Sequence, residues 1–91
     1  MFKLLIFFVL VPYTASVGGC VPYTGYKFHT NRDCKNYCDN DADCTAYTFP
    51  VDGSNWCSTV KAIGASGDGR KDFTCYVKGT QTEAPVPGKI Y

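Results

Sequence analysis

Aspartates and cysteines with the spacing of possible metal ligands crowd the stretch NRDCKNYCDNDADC, residues 31–44. The aspartates within residues 39–43 alternate, as the first three ligands of an EF-hand calcium loop do. An EF-hand also needs a glycine at its sixth position and a chelating glutamate at its twelfth, where this chain has Cys44 and Pro50. We therefore interpret the aspartates as turn-forming residues and expect no metal there.

Four potential zinc ligands, His29, Cys34, Cys38 and Cys44, also lie in this region. Structural zinc sites usually have paired short spacings, and the thiols of a secreted chain are oxidised to disulfides, so we expect no zinc site. His29 is the single histidine, and the chain has no G-x-S-x-G motif for a serine nucleophile. These observations predict a protein that is not an enzyme and that uses no metal or cofactor.

The first sixteen residues have the layout of a secretory signal peptide. Lys3 is followed by an apolar run over residues 4–11 and then by small residues. The run has fewer than half of the ~20 apolar residues that a membrane-spanning helix needs, so we expect no membrane span. Small residues one and three positions before the cut favour cleavage after Ser16 or after Gly18. The protein is therefore predicted to be secreted and extracellular.

The size and the cysteines of the remaining chain indicate how it is stabilised. All six cysteines follow the predicted leader, and the roughly 75 remaining residues form at most one domain, with a marginal hydrophobic core. An even number of cysteines in a small secreted chain indicates three disulfides, although spacing alone does not fix their pairing. Loss of Lys3 leaves eight basic and eight acidic residues, so no positive surplus is available to bind nucleic acid or an anionic membrane.

A helix is predicted over residues 31–39. Thr30 and Asp33 are three positions apart, as the two residues of a capping box are at a helix start. Cys34 and Cys38 are four positions apart, so both sulfurs lie on the same face of the predicted helix.

Alternating β-forming residues predict a small antiparallel sheet beside this helix. The predicted strands cover residues 20–28, 44–49, 56–63 and 72–78. The second and third strands form a hairpin whose turn contains Gly53. Alternation assigns three aromatic residues to the core: Tyr47, Phe49 and Phe73. Glycine-rich residues 64–70 are predicted to form a mobile surface loop, and residues 79–91 a flexible tail.

The order of the cysteines and strands resembles the PAN/apple domain family. The resemblance rests on the C-x3-C helix, the aromatic strand CTAYTF, the cysteine of WCSTV and the terminal CYVK, and it covers residues 20–78. It implies an α+β fold, a small disulfide-rich domain with one α-helix packed on a short antiparallel β-sheet. It also implies a nested disulfide pairing: Cys20–Cys75, Cys34–Cys57 and Cys38–Cys44.

Members of this family bind proteins or carbohydrates, often in adhesion. The resemblance therefore implies a non-catalytic recognition module whose partner is an extracellular protein or glycan. We expect binding on the sheet face away from the helix or in the loop of residues 64–70, because loops on a rigid scaffold commonly carry recognition. The candidate binding residues are Trp56, Arg70, Lys71 and Tyr76. Strand register decides which sheet face each strand residue occupies.

Two other classes of secreted protein are also consistent with the sequence. Small size, a leader and dense cross-linking are shared by secreted effectors such as toxins, protease inhibitors and defence peptides. A structural component of an extracellular matrix is suggested only by Tyr91 and the loose tail. The oligomeric state is not predicted.

Overall fold

The computed structural model describes residues 11–79. In this part of the chain, three short strands precede a single helix and four follow it. In chain order they are β1 (Tyr13–Val17), β2 (Cys20–Val21), β3 (Lys27–His29), α1 (Cys34–Asp39), β4 (Ala46–Pro50), β5 (Cys57–Val60), β6 (Ser66–Gly67) and β7 (Phe73–Lys78). The fold is α+β, small and disulfide-rich, as predicted. The start of the predicted leader, residues 1–10, and residues 80–91 of the predicted tail lie outside the described residues.

Five of the strands form one antiparallel sheet in the order β1-β7-β4-β5-β3. β4 and β5 are the predicted hairpin, with Tyr47 opposite Thr59, and Gly53 adopts a φ of 83° in the turn between them. β7 lies on the other side of β4 and places Tyr76 opposite Tyr47. β2 and β6 pair with each other and pack on the sheet face away from α1.

Three disulfides join these layers and use all six cysteines. They are Cys34–Cys57 between α1 and β5, Cys38–Cys44 across the turn after α1, and Cys20–Cys75 between β2 and β7. These are the pairs that the PAN/apple resemblance implies. The Cys20–Cys75 bond joins residues 55 positions apart. Closing a loop of that length should stabilise the fold by about 4 kcal/mol, because it lowers the entropy of the unfolded chain.

The buried interior occupies both faces of the sheet. On the face away from α1 it consists of small side chains and one disulfide: Cys20, Ala46, Val60, Ala62, Ala65 and Cys75. On the α1 face, Tyr47 is buried among the other two disulfides and is only 4% exposed. Phe49 and Phe73, which alternation assigns to the core, are half-buried. Because few large apolar side chains are fully buried, the disulfides contribute a large share of the stability.

The helix is shorter than predicted. α1 begins at Cys34 with Asp33 as its N-cap residue, and no side chain caps it. The Asn31 side chain instead accepts a hydrogen bond from the Asp33 backbone N–H at 3.0 Å, which forms a turn before the helix. The predicted capping box of Thr30 and Asp33 is therefore wrong, because a local side-chain bond to the backbone replaces the first predicted helical residues.

Two strands, β1 and β6, are absent from the sequence prediction. β6 lies within residues 64–70, where the sequence predicts a mobile loop outside the core, yet it pairs with β2 and the adjacent Ala65 is buried. Gly67 permits this packing, because a Cβ at that position would overlap the Val17 carbonyl. β1 lies at the end of the predicted leader and pairs along β7.

Candidate functional site

Five aromatic side chains gather on the sheet face away from α1, beside the area that β2 and β6 cover. They are Tyr23, Tyr26, Phe28, Trp56 and Phe73, with Arg70 at their margin, and we call this group the aromatic surface. Three of its rings are exposed: Tyr23 by 54%, Tyr26 by 46% and Phe28 by 52%. Contiguous exposed apolar patches on small proteins commonly mark interaction sites.

The strands position the central rings of this surface. β3 is an edge strand, and Phe28 lies opposite Ser58 of β5, so its neighbours in the strand point to the α1 face. Trp56 immediately precedes β5, and Phe73 is the first residue of β7. The two tyrosines lie in the loop between β2 and β3, where the Tyr26 N–H donates to the Tyr23 carbonyl at 2.9 Å.

Contacts between neighbouring rings hold the aromatic surface in place. Phe28 stacks on Trp56 with ring centroids 5.5 Å apart, and Trp56 meets Phe73 edge-on at 5.8 Å. Tyr23 and Tyr26 form an edge-on pair at 5.5 Å. Four of these rings line a shared hollow of about 120 Å³. The rings are therefore fixed by their neighbours while their outer faces stay open to solvent.

Arg70 supplies a positive charge at the margin of the aromatic surface. Its guanidinium carbon lies 5.1 Å from the centre of the Phe73 ring, and its Nε lies 3.2 Å from Oδ2 of Asp68. Oδ1 of Asp68 accepts hydrogen bonds from the backbone N–H groups of Arg70 and Gly19, both at 3.0 Å. The backbone bond from Arg70, followed by that from Gly19 and the guanidinium charge, holds the pKa of Asp68 below its ordinary value. This carboxylate orients the arginine beside the rings.

The structure brings together two of the four predicted binding residues. Trp56 and Arg70 line the same hollow, and Lys71, which follows Arg70, is exposed. Tyr76 lies on the opposite face of the sheet, where its ring stacks on Tyr47 at 5.2 Å. The register of β7 against β4 places it there, so the sheet separates Tyr76 from the other candidates.

The sequence prediction misses four members of the aromatic surface: Tyr23, Tyr26 and Phe28, and also Phe73, which it assigns to the core. A signal for two of them exists, because Tyr26 and Phe28 alternate with Lys27 and therefore share one face of a strand. Whether that face is covered depends on how far β2 and β6 extend over the sheet. Such long-range packing is not encoded in the local alternation.

A second depression, a groove of about 790 Å³, lies between α1 and strands β3 and β5. His29 stacks on Tyr37 there with ring centroids 4.4 Å apart, and Lys61 approaches Asp41 at 3.7 Å. Burial, with the nearby charge of Lys27, lowers the pKa of His29 below its ordinary value. Several side chains of the groove thus already pair with one another. The aromatic surface, with its exposed rings, is the stronger binding candidate.

The aspartates at the end of α1 and in the turn after it bond to groups of the protein itself. Asp39 accepts hydrogen bonds from the Tyr13 hydroxyl at 2.6 Å and from Lys35 at 2.9 Å, and Asp41 accepts one from the Asp43 N–H at 2.9 Å. Between residues 11 and 79, no three His, Cys, Asp or Glu side chains are placed to hold a metal ion. That same part of the chain contains no helix long and apolar enough to cross a membrane.

The chemistry available at the aromatic surface is that of non-covalent binding. Its rings offer stacking and apolar contact, and the guanidinium of Arg70 offers several hydrogen-bond donors in a planar array. The hydroxyls of Tyr23 and Tyr26 add polar groups beside the apolar area. A comparison of the chain with models of protein families, with curated proteins and with solved structures found no match.

Proposed function

We propose that this protein is a secreted, non-catalytic recognition module of the PAN/apple type, which binds an extracellular protein or carbohydrate through the aromatic surface. The observation that carries the proposal is the exposure of Tyr23, Tyr26 and Phe28 on one face of the sheet. Contact of such rings with water is unfavourable, and burying them is worth a few kcal/mol each. A partner that covers them would recover this free energy.

The composition of the surface also supports recognition. Trp, Tyr and Arg are the residue types most enriched in binding hot spots, and the surface contains Trp56, two tyrosines and Arg70. Aromatic side chains have few rotatable bonds, so a partner that fixes them costs little conformational entropy. The flat ring faces suit either the apolar face of a sugar or an apolar patch of a protein.

The disulfides support the extracellular part of the proposal. Such bonds form and persist in oxidising compartments, and small extracellular domains commonly contain them at this density. Here they tie α1, β2, β5 and β7 together around the sheet. The aromatic surface is thus held on a cross-linked scaffold, which lowers the ordering cost of binding.

Binding of the secreted, oxidised protein to a glycan array and to extracellular proteins tests this proposal. Phe28→Ala removes one of the most exposed rings, and we expect it to weaken binding by about tenfold or more. Tyr37→Ala is the matched control, because Tyr37 is an exposed aromatic residue on the groove side. Its binding should equal that of the wild type.

Two results would contradict the proposal. Loss of binding in Tyr37→Ala, with full binding in Phe28→Ala, would assign recognition to the groove beside α1. Potent inhibition of a protease or an ion channel that survives Phe28→Ala would place the protein among secreted effectors instead.

A further inference from the structure

Strand β1 lies at the edge of the five-stranded sheet and pairs with β7 alone. Five consecutive residue pairs join the two strands, from Tyr13 opposite Lys78 to Val17 opposite Thr74. The outer edge of β7 is therefore occupied along almost its whole length by residues 13–17.

The predicted leader overlaps this edge strand. Cleavage after Ser16 removes four of the five paired residues, and cleavage after Gly18 removes all five. The processed protein would then expose the outer edge of β7, a row of backbone N–H and C=O groups that can pair with another strand. This step rests on the secretion that is part of the proposed function.

β1 also covers a small site with defined chemistry. The Tyr13 ring packs edge-on against Tyr47 with centroids 4.9 Å apart, and its hydroxyl donates to Oδ1 of Asp39 at 2.6 Å. Lys35 donates to the other oxygen of Asp39 at 2.9 Å, which orients the carboxylate. Once β1 is removed, the site retains an aromatic wall and an oriented hydrogen-bond acceptor, and it lacks the phenol.

We propose that the processed protein binds an extended strand of another polypeptide along the outer edge of β7, with a tyrosine of that strand in the place of Tyr13. β1 is the template for this ligand: an antiparallel segment of five residues whose tyrosine hydroxyl donates to Asp39. On the same face, the second and fourth residues after the tyrosine, Ala15 and Val17 in β1, are exposed, so specificity rests on the tyrosine. Strand addition obtains affinity from main-chain hydrogen bonds and specificity from alternate side chains.

A second copy of this chain is a poorer occupant of the edge. If the β7 strands of two copies paired edge to edge, each strand could offer the other copy only one tyrosine, Tyr76. Tyr76 is already stacked on Tyr47 of its own chain. Pairing of two β7 strands therefore supplies no free tyrosine for the site, which favours a strand of another polypeptide.

In the experiment, secreting eukaryotic cells express residues 1–91, and mass spectrometry determines the N-terminus of the secreted product. The probe is a synthetic, end-capped peptide with the sequence of residues 12–16, PYTAS, titrated by calorimetry; it stops at Ser16 because a product that begins at residue 17 retains Val17. We expect a product that begins at residue 17 or 19 and binds the peptide. The Tyr13→Phe peptide should bind about tenfold more weakly, because it lacks the hydroxyl that bonds to a charged acceptor. A difference on the peptide side cannot result from misfolding of the protein.

Four results would overturn this proposal. They are a secreted product that retains Tyr13, a processed product that binds neither peptide, equal binding of the two peptides, and occupation of the edge by a second copy or by residues 80–91. Partner binding by the aromatic surface is measured separately, so its failure is distinguishable from failure at the β7 edge. A chain that the cells do not secrete contradicts the proposed function, and this inference with it.

Discussion

Two groups of aromatic residues lie on opposite faces of the same sheet, and they differ in how far they are covered. The first, which we call the helix-face cluster, consists of Tyr47, Phe49 and Tyr76, joined by Tyr13 in the unprocessed chain. The cations Arg32 and Lys35 lie over two of its rings, those of Phe49 and Tyr13. The second group is the aromatic surface, three of whose rings are about half exposed.

The difference shows that the surrounding structure, and not the type of ring, separates residues that stabilise the fold from residues available for binding. Burial raises the pKa of Tyr47 to about 12. Burial, assisted by the hydrogen bond to Asp39, also raises the pKa of Tyr13. These hydroxyls therefore stay neutral within the packed region. Substitutions in the helix-face cluster should lower stability, whereas substitutions in the aromatic surface should lower binding.

Tyr47→Ala is expected to have the largest effect. Truncation of a buried aromatic residue leaves a cavity and typically lowers the free energy of unfolding by about 3 to 5 kcal/mol. Denaturant unfolding measures this change. Phe28→Ala, which truncates a half-exposed ring, is the matched comparison and should cost less than about 1 kcal/mol. Equal losses of unfolding free energy in the two variants would contradict the stated difference in burial between the helix-face cluster and the aromatic surface.

Removal of the Cys34–Cys57 bond should have the next largest effect. Replacing both cysteines by serine frees α1 from β5 across a sequence separation of 23, and about 3 kcal/mol of unfolding free energy should be lost. Chemical denaturation checks this value. The control replaces Cys38 and Cys44, which are only six positions apart, and should lose about 2 kcal/mol. A larger loss in the control than in the first variant would contradict the role of Cys34–Cys57 as the main bond between α1 and the sheet.

Arginine substitutions on the two faces should separate stability from binding. The Arg32 guanidinium carbon lies 4.5 Å from the centre of the Phe49 ring, so Arg32→Gln should lower the unfolding free energy by about 0.5 to 1 kcal/mol. Arg70→Gln removes the equivalent contact with Phe73 and should have a similarly small effect on stability. Only Arg70→Gln should also weaken partner binding. Weaker binding by Arg32→Gln would extend the binding site to the α1 face.

His29 should give the smallest effect, seen in the dependence of stability on pH. Burial, with the nearby charge of Lys27, lowers the folded-state pKa of His29, so the unfolded chain binds a proton more readily. The associated stability is present above the unfolded pKa of about 6.5 and is lost as pH falls through the lower folded pKa. The melting temperature should therefore fall between about pH 7 and pH 5, and less so in His29→Gln. An NMR titration of this single histidine that gave a pKa above 6.5 would contradict the sign.

The cysteine-bearing elements could be predicted from sequence because their signals are local. Cys34 and Cys38 are separated by one helical turn, and alternation places Tyr47 on the α1 face of its strand. β6 could not be predicted, because two residues containing a glycine have no strand signal and pair only where β2 comes near. β1 lies where the sequence favours a leader, so its residues are assigned to that leader and not to a strand.

The candidate site could be predicted only in part, because strand register and long-range packing decide which side chains share an exposed face. Residue type identifies Trp56, and position in the loop of residues 64–70 identifies Arg70; neither signal depends on strand register. The sequence also predicts Tyr76 as a binding residue, but its position opposite Tyr47 puts it on the other face of the sheet. The exposure of Phe28 depends on where β2 and β6 stop covering the sheet, and this is a long-range property of the fold.

Partner binding and thermal stability of Phe28→Ala, measured side by side with the wild type, test most directly whether the aromatic surface is for recognition. We expect the melting temperature to stay within about 5 °C of the wild type, because the ring is half exposed. Affinity for the extracellular partner should fall by about tenfold or more. Wild-type affinity in a folded Phe28→Ala protein would contradict this assignment.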